Sequence, residues 1–254
     1  MTDIAGFSTL EYLAHINASF SNEKLCEWTQ NQRIEYKTLL DALEQSNGTN
    51  SCATKEEKGR SLEEIASFLL NNCGHIFDVD RNIRTCTNEI DNLMKLTAAG
   101  KALQSNGILS AYYTNFIGEC KNYNKKVGVT YVGKFCSLML TTGCTLGILF
   151  SYHGITGHSW SDGNGLIRKF YLHKELPSAR YCLIDFNIKD FHAILHGANF
   201  LQIIDDKISS LKFDTDYSSE LSKQNNQTTT SNFPCNFNFT VSNMNRFNQG
   251  INHG

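Results

Sequence analysis

Three residues have the types and the spacing for hydrolytic chemistry at a metal ion: Asp91 in NEIDNLM, and Glu119 and Lys121 in FIGECKNY. Side chains two residues apart in a β-strand point to the same face, so Glu119 and Lys121 share a face and Cys120 points to the other. If the strand that carries Asp91 pairs with this strand, the two carboxylates come together. Paired carboxylates form a hard oxygen site that suits Mg²⁺, with Mn²⁺ as the other candidate ion.

A divalent ion held in this way could support the hydrolysis of a phosphate ester. It would lower the pKa of a bound water molecule and offset the charge of the phosphate. The Lys121 ammonium could orient that water, take its proton if the pKa of the lysine is lowered, or stabilise the pentavalent phosphorus. Without a structural context, an exposed salt bridge at a sheet edge explains the same residues better, so the surrounding elements must decide.

Hydrophobic periodicity predicts the elements that would position these residues. The segment GRSLEEIASFLLNNCG predicts a helix with Ser61 as its N-cap, Glu64 completing a capping box and Gly74 at its end. The elements predicted after it are strands at about 75–80, 88–96 and 113–120, a helix at 129–142 ended by Gly143, a buried strand at 145–151, a helix at 165–175, a strand at 181–185, and helices at 188–195 and 200–211. This order predicts an α/β fold, with a central mixed β-sheet and helices on both faces.

Composition divides the chain into three parts. Residues 1–50 are predicted as an N-terminal helical extension, which ends in the turn-forming cluster SNGTNSC. Residues 55–212 contain the candidate chemistry and form the predicted catalytic domain. Residues 213–254 are Asn-rich and low in charge, and we predict that they form a flexible C-terminal tail.

Asp91 followed by Glu119-Cys120-Lys121 resembles the D…ExK signature of the PD-(D/E)xK nuclease superfamily. The flanking segments KGRSLEEIASFLL and ECKNYNKKVGVTYVGKF resemble its Mrr-like restriction endonuclease branch. The resemblance covers about residues 58–151 and continues more weakly to about residue 211. It implies a restriction-endonuclease-like core and a Mg²⁺-dependent endonuclease that hydrolyses DNA phosphodiester bonds, in restriction or anti-phage defence. A homodimer and a partner protein of a defence system are the assemblies that it suggests.

The resemblance also implies roles for individual residues. Asp91 and Glu119 would be metal ligands, with Cys120 between them counted in the metal site, and Lys121 would be the catalytic lysine. Glu63 would be a helix carboxylate that reaches the metal through water or positions the nucleophile. The alternative for Glu63 is a solvated carboxylate in the first turn of a helix, where it favours the helix dipole.

If this chain binds nucleic acid, the positive charge that contacts the phosphates must come from a local basic patch, because the formal net charge of the chain is −2. Lys125, Lys126 and Lys134 follow the catalytic strand, and they are either phosphate contacts or an ordinary solvated face. Arg81 and Arg84 could touch a DNA backbone, but ion pairs with Asp78 or Asp80 are the preferred interpretation.

Cysteine usage and the N-terminal sequence predict a cytoplasmic protein. There are nine cysteines, an odd number without a CxxC pair, which disfavours a disulfide framework and a zinc site. Residues 1–10 lack the pattern of a signal peptide. The apolar stretch 136–150 is interrupted by polar residues and is shorter than the roughly 20 residues of a membrane helix. Two other functions stay open: a catalytically silent nuclease-fold module that binds DNA or protein, and a nuclease of DNA repair or of RNA.

Overall fold

Five strands form one sheet in the computed structural model, which describes residues 11, 22–84, 89–157, 161–176 and 179–213. The strands are β1 (Phe77–Arg84), β2 (Glu89–Leu96), β3 (Asn115–Cys120), β4 (Leu146–Phe150) and β5 (Cys182–Phe186), in the spatial order β1-β2-β3-β4-β5. The first three strands pair antiparallel, and β3, β4 and β5 pair parallel. The prediction of an α/β fold with a mixed sheet is therefore confirmed.

Helices cover both faces of this sheet. They are α1 (Asn22–Leu25), α2 (Gln30–Asn47), α3 (Lys55–Asn71), α4 (Ala98–Ser105), α5 (Val129–Thr142), α6 (Gly163–Leu172), α7 (Ile188–Leu195) and α8 (Phe200–Phe213), with a 3₁₀ turn at Ala111–Tyr113. Neighbouring residues of β3 show the two layers, since Phe116 belongs to the core formed with α2, α3, α7 and α8. Ile117 belongs to the core formed with α5 and α6. Strand β4 is buried at every position, because helices cover both faces of the sheet. Its sequence is therefore apolar throughout and does not alternate between apolar and polar residues.

The helix before the sheet begins earlier than its sequence pattern suggested. Thr54, not Ser61, is the N-cap: the Thr54 hydroxyl accepts from the N–H of Glu57, whose carboxylate accepts from the N–H of Thr54. The N-cap prediction for Ser61 is therefore wrong. Ser61 is buried inside α3, where its hydroxyl donates to the Lys58 carbonyl at 3.0 Å. Both threonine and serine head a capping-box pattern, and only packing shows which one the chain uses.

The predicted end of this helix is also displaced. The helix ends at Asn71, and Gly74 lies in the following loop with a φ of +56°. A Cβ at Gly74 would lie 1.9 Å from the Leu25 carbonyl oxygen, so both the backbone angle and the close approach of the α1 segment require glycine there.

Helix α4 was not predicted. It is short, and the Thr97 hydroxyl caps it by accepting from the N–H of Gly100 at 3.1 Å. Strand β1 also extends four residues beyond its predicted end at Asp80, because pairing with β2 provides backbone hydrogen bonds even where its side chains are exposed.

The described part of the N-terminal extension is helical and packs on the core. Leu40 and Leu43 of α2 are fully buried, and the Tyr36 hydroxyl donates to the Phe191 carbonyl at 2.9 Å. The predicted domain boundaries stay predictions, and the Asn-rich tail lies outside the described residues except for Phe213. Within the described ranges, no helix has the length and apolarity needed to cross a membrane.

Candidate active site

Strand pairing brings Asp91 beside Glu119. In the antiparallel register of β2 and β3, Asn92 lies opposite Gly118, so Asp91, which precedes Asn92, comes opposite Glu119, which follows Gly118. Both side chains point to the face of the sheet opposite to that of Asn92. The two carboxylates lie close enough for the charge of Asp91 to raise the pKa of Glu119. The N–H of Cys120 also donates to Asp91 Oδ2 at 3.0 Å, which orients that carboxylate.

Lys121 is the residue that follows β3, and its side chain completes the cluster. Its Nζ lies 2.5 Å from Glu119 Oε1 and 3.8 Å from Asp91 Oδ2. The Lys121 N–H donates to the Phe150 carbonyl at 2.9 Å, so the parallel pairing with β4 continues one residue past the strand and sets the direction of the lysine. The structure thus brings together the three residues that the spacing singled out.

Electrostatics in this cluster favour a positive charge beside the two carboxylates. Burial raises the pKa of Glu119, the charge of Lys121 opposes that rise, and the Asp91 carboxylate adds to it. Burial lowers the pKa of Lys121, but Glu119 and Asp91 outweigh burial and leave this pKa raised. The two carboxylates therefore favour the ammonium form of Lys121.

The donor set suits a hard divalent ion that keeps part of its water shell. Two carboxylates in contact repel each other unless a proton or a cation lies between them. Among the described residues, no group of three or more His, Cys, Asp or Glu side chains is arranged to hold a metal ion. Mg²⁺ does not require such a cage, because it is commonly bound through one or two carboxylates and several waters. Asp91 and Glu119 meet that requirement.

The side chain of Cys120 does not belong to this cluster. The thiol is buried in the opposite core layer, and burial raises its pKa well above the ordinary value. Any contribution of Cys120 to a metal site would therefore come from its main chain.

Glu63 lies within electrostatic range of the cluster without bonding to it. Its exposed carboxylate on α3 has a raised pKa because of partial burial and the nearby Asp91 charge, which Lys121 and Arg81 partly oppose. Within the described ranges it forms no hydrogen bond or ion pair with Asp91, Glu119 or Lys121. Its position allows a contact through water. The first-turn alternative for Glu63 is wrong, because α3 begins at Lys55 and Glu63 lies in the interior of the helix, away from the positive end of its dipole.

Two asparagines that sequence reasoning missed join α3 to the segment that follows β3. Asn122 Nδ2 donates to the Lys58 carbonyl at 2.6 Å, and Lys58 Nζ donates to Asn124 Oδ1 at 2.8 Å. Their position directly after Lys121 was the available signal. These bonds set the distance between the helix that carries Glu63 and the strand that carries Glu119.

The predicted basic residues separate into two groups. Lys134 lines a cavity of about 150 Å³ together with Glu119 and Lys121. Lys125 and Lys126 are exposed in the loop after β3.

Among the residues that the structure describes, neither Arg81 nor Arg84 forms its predicted ion pair with Asp78 or Asp80. Asp80 pairs with Lys95 across the hairpin at 2.7 Å, and Arg84 lies 3.7 Å from Glu89. The β1–β2 register decides these partners, and it cannot be read from one strand alone.

Sequence reasoning also missed a pair of aromatic residues next to Lys134. The rings of Tyr123 and Tyr131 have centroids 5.1 Å apart, and Lys134 Nζ lies 5.3 Å from the Tyr131 centroid.

A larger cavity of about 280 Å³ is lined by Trp28, Cys73 and Phe200 and contains none of the candidate catalytic residues.

No protein-family model matches this chain, and no curated protein matches it in sequence. One solved structure that it resembles is described as DNA modification-dependent restriction endonuclease AspBHI, with a TM-score of 0.36 and 15% sequence identity. The similarity covers 84% of this chain and 51% of that protein, so the chain spans about half the length of its structural relative.

Proposed function

We propose that this protein is a metal-dependent endonuclease that hydrolyses phosphodiester bonds in DNA, with Mg²⁺ as its ion and Mn²⁺ as a substitute. The observation that carries the proposal is the convergence of Asp91, Glu119 and Lys121 on one face of the sheet. Two acidic groups and a cation, partly buried together, are the parts that phosphate hydrolysis requires.

Each residue has a distinct part in this proposal. Asp91 and Glu119 would hold the ion, which when bound supplies a water of lowered pKa and positive charge next to the phosphate. The Cys120 N–H holds the Asp91 carboxylate in its orientation. The Lys121 ammonium stabilises negative charge on the phosphate as the bond to the attacking oxygen forms. Glu63 would position the attacking water.

The choice of DNA, and a role in restriction or anti-phage defence, rest on the sequence resemblance to the PD-(D/E)xK superfamily and its Mrr-like branch. The intact triplet argues against a silent binding module, since a module that only binds has no need for all three groups. Lys125, Lys126 and Lys134 supply positive charge near the proposed site despite the net charge of −2.

The direct test is cleavage of plasmid DNA by the purified chain with Mg²⁺, with EDTA and with Mn²⁺. Wild type should cut in both ions and not in EDTA, and Lys121→Ala should abolish cutting while its circular dichroism spectrum and melting temperature stay close to those of wild type. Lys101→Ala is the matched control, because Lys101 is an exposed lysine on α4 that does not line the cavity containing Glu119 and Lys121.

Each alternative predicts a different outcome. Equal cleavage by wild type and Lys121→Ala would mean that the site is misassigned. DNA binding without cleavage in either ion would support the silent module. Cleavage of an RNA of the same sequence, with intact DNA, would replace the proposed substrate.

A further inference from the structure

A small cleft opens between α5 and the catalytic edge of the sheet. Its volume is about 150 Å³. The residues that line it are Glu89, Glu119, Lys121, Tyr131, Lys134, Phe135, Leu138 and Leu149. Glu119 and Lys121 belong to the proposed catalytic cluster, so anything bound in the cleft lies against the reacting groups.

The lining suits a flat, largely apolar group better than a phosphate. Phe135, Leu138 and Leu149 are buried apolar side chains, and they form one wall. Two carboxylates, Glu89 and Glu119, and two lysines, Lys121 and Lys134, line the cleft, so it carries no excess of positive charge for a phosphate. The carboxylates can accept hydrogen bonds from an amino group. Ligand pockets that enclose a whole small molecule measure roughly 300–1,000 Å³, so this cleft has room for one ring system and not for an entire nucleotide.

The side chain of Tyr131 lines this cleft and is partly exposed. Its exposed fraction is 38%, which is high for a large aromatic residue. The ring packs against Tyr123, and burial together with the neighbouring Tyr131 raises the pKa of Tyr123 to about 12. Lys134 adds a positive charge near the same ring. An exposed aromatic ring fixed beside a cation is the arrangement on which nucleic-acid bases stack.

We propose that this cleft binds a nucleobase that carries an amino group, next to the phosphate that is cleaved. The inference rests on the proposed nuclease function and adds to it that the enzyme acts on a nucleotide whose base is outside the double-helical stack. The base stacks on Tyr131, its ring contacts Leu138, and its amino group donates to Glu89. A base in an intact duplex is paired and stacked, so it must be unpaired already or leave the stack to enter.

Photocrosslinking tests the contact without relying on activity. Single-stranded and duplex oligonucleotides that contain 5-iododeoxycytidine, which keeps the amino group, are irradiated with wild-type protein in EDTA and in Ca²⁺. Peptide mapping by mass spectrometry should place the adduct on Tyr131. An adduct confined to residues outside the cleft would overturn the proposal.

Affinity measurements supply the second readout. Tyr131→Leu should weaken oligonucleotide binding in a fluorescence anisotropy titration by about 5- to 150-fold, the equivalent of losing one base–aromatic stack. Tyr131→Phe should retain most of the affinity, which separates stacking from a loss of folding. Leu140→Ala is the matched control, because Leu140 is an exposed residue of α5 that does not line the cleft.

The outcomes distinguish this inference from the function on which it rests. If wild type cleaves DNA and Tyr131→Leu binds as tightly as wild type, the base site is wrong and the nuclease proposal stands. If wild type neither binds nor cleaves any nucleic acid, both are wrong. If Tyr131→Leu binds weakly and the wild-type adduct lies on Tyr131, the base site is supported even where cleavage requires a further trigger.

Discussion

The main-chain N–H of Cys120 donates a 3.0 Å hydrogen bond to the Asp91 carboxylate. This bond crosses from β3 to β2 and joins the two strands that supply the proposed metal ligands. It also leaves the Cys120 side chain free to pack in the opposite core layer. The same residue therefore fixes a carboxylate with its backbone and contributes to stability with its side chain.

Substitution of Asp91 tests metal binding separately from catalysis. Asp91→Asn keeps an oxygen that can accept from the Cys120 N–H but removes the negative charge that a divalent ion requires. We expect Mg²⁺ to raise the melting temperature of wild type, since an ion that binds only the folded state stabilises it by about 2.7 kcal/mol at 100 times its dissociation constant. Differential scanning calorimetry should show little or no such rise for Asp91→Asn. Asp78→Asn is the control, because Asp78 is an exposed residue of β1. An equal rise in melting temperature with Mg²⁺ in wild type and Asp91→Asn would contradict the assignment of Asp91 as a metal ligand.

Substitution of Thr54 tests where the helix that carries Glu63 begins. Thr54→Ala removes the side chain that accepts from the Glu57 N–H, and we expect it to lower the free energy of unfolding by about 1 kcal/mol. Glu57→Ala removes the reciprocal bond and should lower it less, because the Glu57 side chain is exposed. Urea unfolding followed by circular dichroism measures both. Unchanged stability in Thr54→Ala would show that the helix begins elsewhere.

Two glycine substitutions should have opposite effects on stability. A Cβ at Gly59 of α3 meets no atom within 4 Å, so Gly59→Ala should stabilise the protein by roughly 0.5–1 kcal/mol through helix propensity. A Cβ at Gly100 would lie 2.4 Å from the Ile76 carbonyl oxygen, which cannot move easily, so Gly100→Ala should destabilise it by about 1–3 kcal/mol. Thermal unfolding of the two variants decides the matter. A gain in Gly100→Ala would mean that α4 packs differently against the loop after α3.

The buried carboxyl group of Asp185 should make the free energy of unfolding depend on pH. Burial raises the pKa of this carboxyl, Lys207 opposes the rise and Asp190 adds to it. A pKa that is higher in the folded state than in the unfolded state favours folding below the unfolded value. That contribution is lost as pH rises through the folded value.

Asp185→Asn should remove this loss. The amide oxygen can still accept from the Ile155 N–H, and no charge has to be buried. We therefore expect the free energy of unfolding to fall less with rising pH, over the mildly acidic range, than in wild type. Urea titrations at several pH values measure the difference, with Asp78→Asn as an exposed control. Parallel curves for wild type and Asp185→Asn would show that Asp185 has an ordinary pKa in the folded protein.

The triplet was predictable because its geometry is mostly local. Glu119 and Lys121 share a face by the two-residue period of a strand, and this holds for any strand that contains them. Helix α5 was predictable for a similar reason, since its apolar spacing and Gly143, with its φ of +70°, mark both its face and its end.

Features that depend on partners distant in the chain were not predictable. The capping box at Thr54 and the pattern at Ser61 look equivalent in sequence, and burial of Ser61 against α2 decided between them. Tyr131 has the spacing of an ordinary surface residue, and only the tertiary structure shows that it lines the same cleft as Glu119 and Lys121.

The sequence by itself determined the alternation of side chains along each strand, the apolar face of each long helix and the chemical types that could serve a metal ion. These depend on the repeat of the backbone and on side-chain chemistry, which are local. Only the tertiary structure decided that Asp91 lies beside Glu119, that the Cys120 thiol is buried in the opposite core layer, and that the two carboxylates raise the pKa of Lys121. Those outcomes depend on strand register and burial, because free energies of packing and of desolvation are properties of residues brought together from different parts of the chain.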